Sequence, residues 1–220
     1  IIGVSNASKG AGATFLLLGR SKLAEETASW LDWSDEQLNT RKMELRESLI
    51  SESETGKITM VEWNNAWQKF TRSRDVYLTL DAIEQTGNHA TYHSVDVMDQ
   101  SALQELGSSL GRPITGLVHG AGLEDSKLVA DKGYEVFDRV VRVKVDGWRA
   151  LLSAVVASGR EVPEFACCFT SVAGRFGNGG QTDYAAANSV LDAEMARLTA
   201  TTDCRAVAIG WTGWRDVGMA

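Results

Sequence analysis

The chain has 220 residues and a formal net charge of -7, with 44% hydrophobic residues, 23% charged residues and two prolines. That length holds one well-buried core and favours one domain, and the composition is that of a globular protein rather than a linker or a disordered tail. The acidic balance excludes a general nucleic-acid or anionic-membrane surface. No apolar run reaches the ~20 residues of a membrane span and no basic-then-apolar leader opens the sequence, so a cytoplasmic location is expected. Cys167, Cys168 and Cys204 are odd in number and lack metal-ligand spacing. They read as reduced core thiols, and no metal is expected.

Ile1-Ile2-Gly3-Val4 reads as a first strand and Ser5 to Gly12 as a turn of small residues after it. Gly10 and Gly12 leave room for a pyrophosphate beside backbone N–H groups, although two glycines at this spacing serve plain turns about as often. Phe15 to Ser21 looks like a second buried parallel strand, but it follows the turn after only two residues, Ala13 and Thr14. A parallel crossover needs roughly a dozen residues, so a helix is missing here and the natural chain is expected to be longer. Arg20 lies just past the carboxyl end of this strand. In an open parallel sheet the adenosine ribose of a dinucleotide sits there, and a cation suits a 2'-phosphate, which favours NADPH over NADH.

Lys22 to Asn88 is polar, helical in character and too long for one crossover. Trp30 and Trp33, then Trp63 and Trp67, recur at helical spacing, with a break expected from Arg46-Glu47 to Thr55-Gly56 and a long helix from about Val61 to Gln85. The segment reads as a helical insertion with the tryptophans as its core. Ala90 to Val97 alternates as a third strand whose terminal Asp96 could meet an adenine amine, and Asp99 caps a helix from Ser101 to Leu110. Ile114 to His119 forms a fourth strand and runs into His119-Gly120-Ala121-Gly122, small enough for a flat ligand to approach the backbone. His119 is read as a packing residue. Tyr134 to Val156 is an amphipathic helix with Phe137, Val140, Val141, Val145, Trp148, Leu151 and Leu152 on its apolar side, interrupted by Lys144.

Phe165 to Phe169 is a short apolar run with an aromatic at each end, the pattern of a buried strand. Ser171 stands where it stops, a loop with Gly174, Gly177, Gly179 and Gly180 follows, and a helix starts at Tyr184. Asn188 lies one turn further on the same helix face. A hydroxyl at a strand's carboxyl end, a tyrosine thirteen residues on and an amide one turn later can converge on one small substrate. Arg205 to Gly210 is the sixth strand, ahead of Trp211-Thr212-Gly213-Trp214. Strands alternate with helices, and the candidate polar groups lie at strand carboxyl ends. The expected fold is therefore α/β, a doubly wound parallel sheet of the Rossmann type with its crevice at that edge.

Ser171, Tyr184 and Asn188, with Lys144 inside Lys144-Val145-Asp146-Gly147 on the preceding long helix, resemble the active site of short-chain dehydrogenases/reductases. More narrowly, they resemble the ketoreductase domains of polyketide and polyunsaturated fatty-acid synthases. In most short-chain reductases the lysine follows the tyrosine by four residues and the asparagine lies on the earlier helix; here the two are exchanged, as in the synthase domains. Leu18-Gly19-Arg20-Ser21, His119 to Gly122, Phe176 to Tyr184 and Trp211 to Trp214 support the resemblance, which covers nearly all of Leu16 to Ala220. Ser5 and Asn6 depart from it, standing where the family often has Thr-Gly.

The resemblance implies one ketoreductase domain over residues 1–220, with a helical insertion at about 22–88, cut from a larger multidomain synthase. It implies reduction by NADPH of a 3-ketoacyl thioester, held on the phosphopantetheine of an acyl carrier protein, to the 3-hydroxyacyl thioester, beside neighbouring synthase domains. Tyr184 would supply the proton, with Lys144 as the cation beside it and as a holder of the nicotinamide ribose. Ser171 would orient the carbonyl, and Asn188 would fix Lys144 or a proton-returning water chain. Gly10, Gly12, Arg20, Ser21, Asp96, Val97, Gly120, Ala121 and Gly122, with Lys144 and Tyr184, would contact the cofactor. Leu123-Glu124-Asp125 matches in part a Leu-Asp-Asp signature, and Gln181 stands where the opposite stereochemical class has tryptophan, a pattern that leans to the D-3-hydroxy product. Two rivals stay open: a reductase-like half that scaffolds a synthase without catalysis, and a free-standing short-chain reductase of a small ketone.

Overall fold

The apolar runs become parallel strands, which form two sheets among the residues that the computed structural model describes, 12–23 and 31–213. Strand β1 (Thr14–Gly19) pairs with β2 (His89–Ser94) in a register that sets Thr14 opposite His89 and Gly19 opposite Ser94. In the second sheet β4 (Phe165–Ser171) lies between β3 (Gly116–His119) and β5 (Arg205–Trp211). A single sheet is expected from the sequence; the described residues carry it as two parts. The strand expected at Ile1–Val4, Gly10 in the turn after it, and Trp30 lie outside those residues.

Between β1 and β2 run α1 (Asp35–Glu52) and α2 (Met60–Glu84), each opened by a capping box, Ser34 with Gln37 and Thr59 with Glu62. In each, the cap hydroxyl accepts from the backbone N–H three residues on while that residue's side chain accepts from the cap N–H, so two orphan donors are satisfied at once. The break comes later than expected: α1 continues through Arg46-Glu47, and the turn falls around Gly56, whose φ of 64° suits glycine. Trp63, Trp67 and Phe70 stack along α2 with ring centroids 6.1 Å and 5.0 Å apart. Both tryptophans stay half-buried and no residue of α1 is buried, so the ring stack runs along α2 and the two helices form no closed core between them.

The main core lies under β3 to β5. Trp148, Leu151 and Val155 of α4 (Tyr134–Ala157) meet Leu103 of α3 (Gln100–Ser109), Leu117 and Ala166 of the sheet, and Leu191 and Leu198 of α6 (Thr182–Thr201). Full burial of Trp148 alone is worth roughly 5 kcal/mol at ~25 cal/mol per Å². A Cβ at Gly107 would stand 2.3 Å from the Ala154 carbonyl oxygen, so α3 and α4 touch through backbone. Leu18, Val95 and Val97 pack against the same cluster and join the first sheet to it.

Strand β2 ends at Ser94, short of the expected Val97, because the chain turns there. The Asp96 carboxylate accepts from the Met98 N–H at 3.0 Å, and Asp99 then caps α3 by accepting from the Ala102 N–H at 3.0 Å. All three cysteines are buried and unbridged, and burial pushes their thiols up, Cys168 to about 12. Among the described residues no helix is long and apolar enough to cross a membrane.

Candidate active site

The carboxyl end of β4 delivers Ser171, whose Oγ accepts from the Ala173 N–H at 3.2 Å. The chain then forms the single turn α5 (Ala173–Phe176) and doubles back to α6. Gly174 permits that return, since a Cβ there would stand 2.9 Å from the Asn188 Cβ. Gly177 and Gly180, with φ of 73° and 77°, turn the loop into α6. Tyr184 and Asn188 follow one helical turn apart. Asn188 is fully buried, its Nδ2 donates to the Tyr184 carbonyl at 2.7 Å, and its Oδ1 has no partner among the described residues.

Lys144 reaches the same place from α4. Its side chain is almost wholly buried, its Nζ donates to the Phe169 carbonyl at 2.9 Å, and that nitrogen stands 5.6 Å from the centroid of the Tyr184 ring. Burial brings the ammonium down to about 8, against the opposing pull of neighbouring acidic groups including Asp192. Behind it, the His119 Nε2 lies 2.9 Å from the Lys144 carbonyl oxygen. A carbonyl only accepts, so this nitrogen carries the hydrogen. Burial first, and the Lys144 charge second, hold the His119 imidazole to about 4, which leaves it neutral and a fixed donor to the α4 backbone.

Two clefts open at the carboxyl edge. The first, of about 980 Å³, is lined by Lys144, Ser171 and Tyr184 together with Glu124, Gln181 and Trp211. The second, of about 250 Å³, is bounded by Arg20, Asp96, Val97 and the Gly120-Ala121-Gly122 run. Gly120 and Gly122 line both. The structure therefore brings Lys144, Ser171 and Tyr184 onto one cavity, with Asn188 behind Tyr184, and Arg20, Asp96, Val97, Gly120, Ala121 and Gly122 onto its neighbour.

Two expected cofactor residues stand apart. Gly12 lies at the amino end of β1, where its Cβ position is 3.3 Å from the Gly87 carbonyl oxygen, at the opposite edge of the sheet from the clefts. Strand polarity explains the displacement: a residue just before β1 is a strand length away from that strand's carboxyl end. Ser21 lines neither cleft, and its carbonyl accepts from the Tyr92 hydroxyl at 2.7 Å.

The sequence reading misses how the loop after β3 is laced to the start of α6. The Gln181 Nε2 donates to the Glu124 Oε1 at 2.5 Å, the Lys127 N–H donates to the Gly180 carbonyl at 3.0 Å, and Lys132 forms a buried ion pair with Asp183. These partners are more than fifty residues apart and follow no period, so only the folded chain pairs them. The immediate neighbourhood of Asp183 to Tyr184 is the sole sequence cue.

The sequence pattern described as the KR domain matches residues 8–216, and the chain belongs to that family. It is 31% identical over 187 residues to one of the chains of the polyunsaturated fatty acid synthase of Thraustochytrium sp., covering 82% of this chain and 6% of that protein. It is 34% identical over 143 residues to mellein synthase of Phaeosphaeria nodorum, covering 63% of this chain and 8% of that protein. Among solved structures, a ketoreductase domain from the bacillaene assembly line superposes with a TM-score of 0.62 at 25% identity, over 96% of this chain and 40% of that one. An A1-type ketoreductase superposes with a TM-score of 0.58 at 28% identity, over 67% of this chain and 30% of that one. The chain thus spans only 6% and 8% of the length of the two synthases. The family is one of oxidoreductases, built on the fold that solved short-chain dehydrogenases share.

Proposed function

We propose that this chain reduces the 3-keto group of an acyl thioester to the 3-hydroxyl, with NADPH as reductant. The acyl chain is presented on the phosphopantetheine of an acyl carrier protein, among the neighbouring domains of a polyketide or polyunsaturated fatty-acid synthase. The observation that carries this reading is the convergence of Lys144, Ser171 and Tyr184 on one cleft of about 980 Å³ with the lysine ammonium 5.6 Å from the tyrosine ring. The relatives named as a mellein synthase and a polyunsaturated fatty-acid synthase support it.

The donors fit a dinucleotide. Gly120 and Gly122 line both clefts, so an elongated ligand lying across the two would meet backbone there rather than side chains. Arg20 is exposed on the second cleft, where its guanidinium matches a 2'-phosphate in a fork geometry. Asp96 and Val97 form the adjoining wall, and Lys144 would hold ribose hydroxyls. When bound, the nicotinamide supplies the hydride.

The protein's part is to meet the charge that forms on the ketone oxygen. Tyr184 donates a hydrogen bond to that oxygen and releases its proton to it, and Ser171 donates a second. The Lys144 ammonium, fixed by the Phe169 carbonyl away from bulk water, offsets the negative charge left on the tyrosine. Asn188 clamps the backbone of Tyr184, and its unpartnered Oδ1 is the acceptor available to Lys144 or to a water that returns the proton. The test is NADPH oxidation with a 3-ketoacyl pantetheine thioester in the full protein that carries this chain. Equimolar loss of NADPH and gain of 3-hydroxyacyl thioester is expected. NADPH binding without turnover, or no binding, refutes the reading and favours a scaffold.

A further inference from the structure

We propose that Lys132 and Asp183 form a positioning clamp that sets where Tyr184 stands against the cleft. The proposal rests on the assignment of Tyr184 as the proton donor.

Lys132 follows a short 3-10 turn (Val129–Asp131) ahead of α4, and Asp183 is the residue before Tyr184 in the first turn of α6. Their side chains are 2% and 1% exposed, and the Nζ stands 2.5 Å from Oδ1. The same ammonium donates to the Gly180 carbonyl at 3.2 Å, and the same carboxylate oxygen accepts from the Tyr184 backbone N–H at 2.9 Å. One oxygen therefore joins the cation to the backbone of the tyrosine.

Other groups that would normally fix a helix start are used elsewhere. The N-cap residue Gln181 makes no side-chain cap and turns its amide to Glu124. Asp183 thus satisfies one of the orphan N–H groups of α6, that of Tyr184 itself. Gly180 completes the junction: its carbonyl also accepts from the Lys127 N–H, and a Cβ on it would stand 3.4 Å from that nitrogen. The glycine loop, the segment between β3 and α4, and the head of α6 meet at one buried ion pair.

Stability alone is a poor account of the pair. The Asp183 Oδ2 is buried with no partner among the described residues, an arrangement that a neutral pair of similar volume would avoid. What the pair provides is a fixed, directional link. Neither side chain lines the clefts, so both act through Tyr184 and are positioning residues.

The test compares Lys132→Met and the double variant Lys132→Met/Asp183→Asn with the wild type in the full protein. The readouts are kcat and KM for a 3-ketoacyl thioester, NADPH affinity, the thermal unfolding midpoint, and the ring resonance of Tyr184 in tyrosine-labelled protein, assigned by its loss in Tyr184→Phe. The single variant strands a buried charge and lowers the midpoint. The double variant removes that charge, keeps an amide oxygen for the Tyr184 N–H and recovers the midpoint. Its kcat nevertheless remains lower by on the order of a hundredfold, with NADPH affinity within about twofold and a shifted Tyr184 resonance. Recovery of kcat together with the midpoint, or an unmoved Tyr184 resonance in the double variant, overturns the clamp. Absence of turnover in the wild type sinks the reductase assignment instead, and the Tyr184 resonance still decides the clamp.

Discussion

Acidification should destabilise this protein through His119. The ring is 1% exposed, donates to the Lys144 carbonyl and sits 6.4 Å from the Trp148 ring, so a charged imidazolium there has no room for water. Burial, then the Lys144 charge, hold it to about 4 against an ordinary 6.5. Between those values the unfolded chain binds a proton that the folded chain refuses, so stability falls as pH drops through the window. Above it both states are neutral, and below it both are charged. A gap of about 2.5 units at ~1.4 kcal/mol each gives a loss of about 3 kcal/mol, a large share of the ~5–15 kcal/mol that holds a typical domain. His119→Gln keeps an N–H for the carbonyl and does not titrate. Urea unfolding between about pH 7 and about pH 4 should show the wild type losing about 3 kcal/mol more than this variant. Parallel curves for the two proteins would refute the reasoning.

Turnover should decline as pH rises through about 8, where the buried Lys144 gives up its charge, and a pH–kcat profile that stays flat until the free-lysine range near 10.5 would contradict that role. Gly107→Ala forces a Cβ against the Ala154 backbone and should cost about 2–3 kcal/mol in urea unfolding, whereas an unchanged midpoint would mean that α3 can shift away. Arg20→Ala should raise the KM for NADPH by about tenfold or more and leave that for NADH alone; an equal rise for both would separate Arg20 from the 2'-phosphate.

The stretch from Phe165 to Leu191 was legible because each local signal agreed: a bounded apolar run, a glycine loop and an evident helix. Helix α4 was legible to within a residue from its apolar stripe, and Asp99 as a cap from its place before that of α3. Lys144 was different. As one lysine beside an apolar stripe it carried no signal of its own, and only its relation to Ser171, Tyr184 and Asn188 singled it out. Gly12 stands just before β1, away from both clefts, while the strand Ile1–Val4 that its turn is read as following lies outside the described residues. Strand β2 stops short of Val97 because the chain turns through the Asp96 side chain, which alternation does not reveal. His119 reads as a packing residue in the sequence, and it is buried, but its hydrogen bond to the Lys144 backbone depends on two elements meeting in space. The same holds for Lys132 and Asp183.

The central claim is that Tyr184 is the acid that completes ketone reduction at the carboxyl edge of β4. Single-turnover NADPH oxidation with a 3-ketoacyl thioester, measured in wild type and Tyr184→Phe beside NADPH affinity, tests it most directly. The account predicts that the variant binds NADPH within about twofold of wild type and reacts slower by roughly 10²–10⁴-fold. A variant that reduces the thioester at close to the wild-type rate would contradict it.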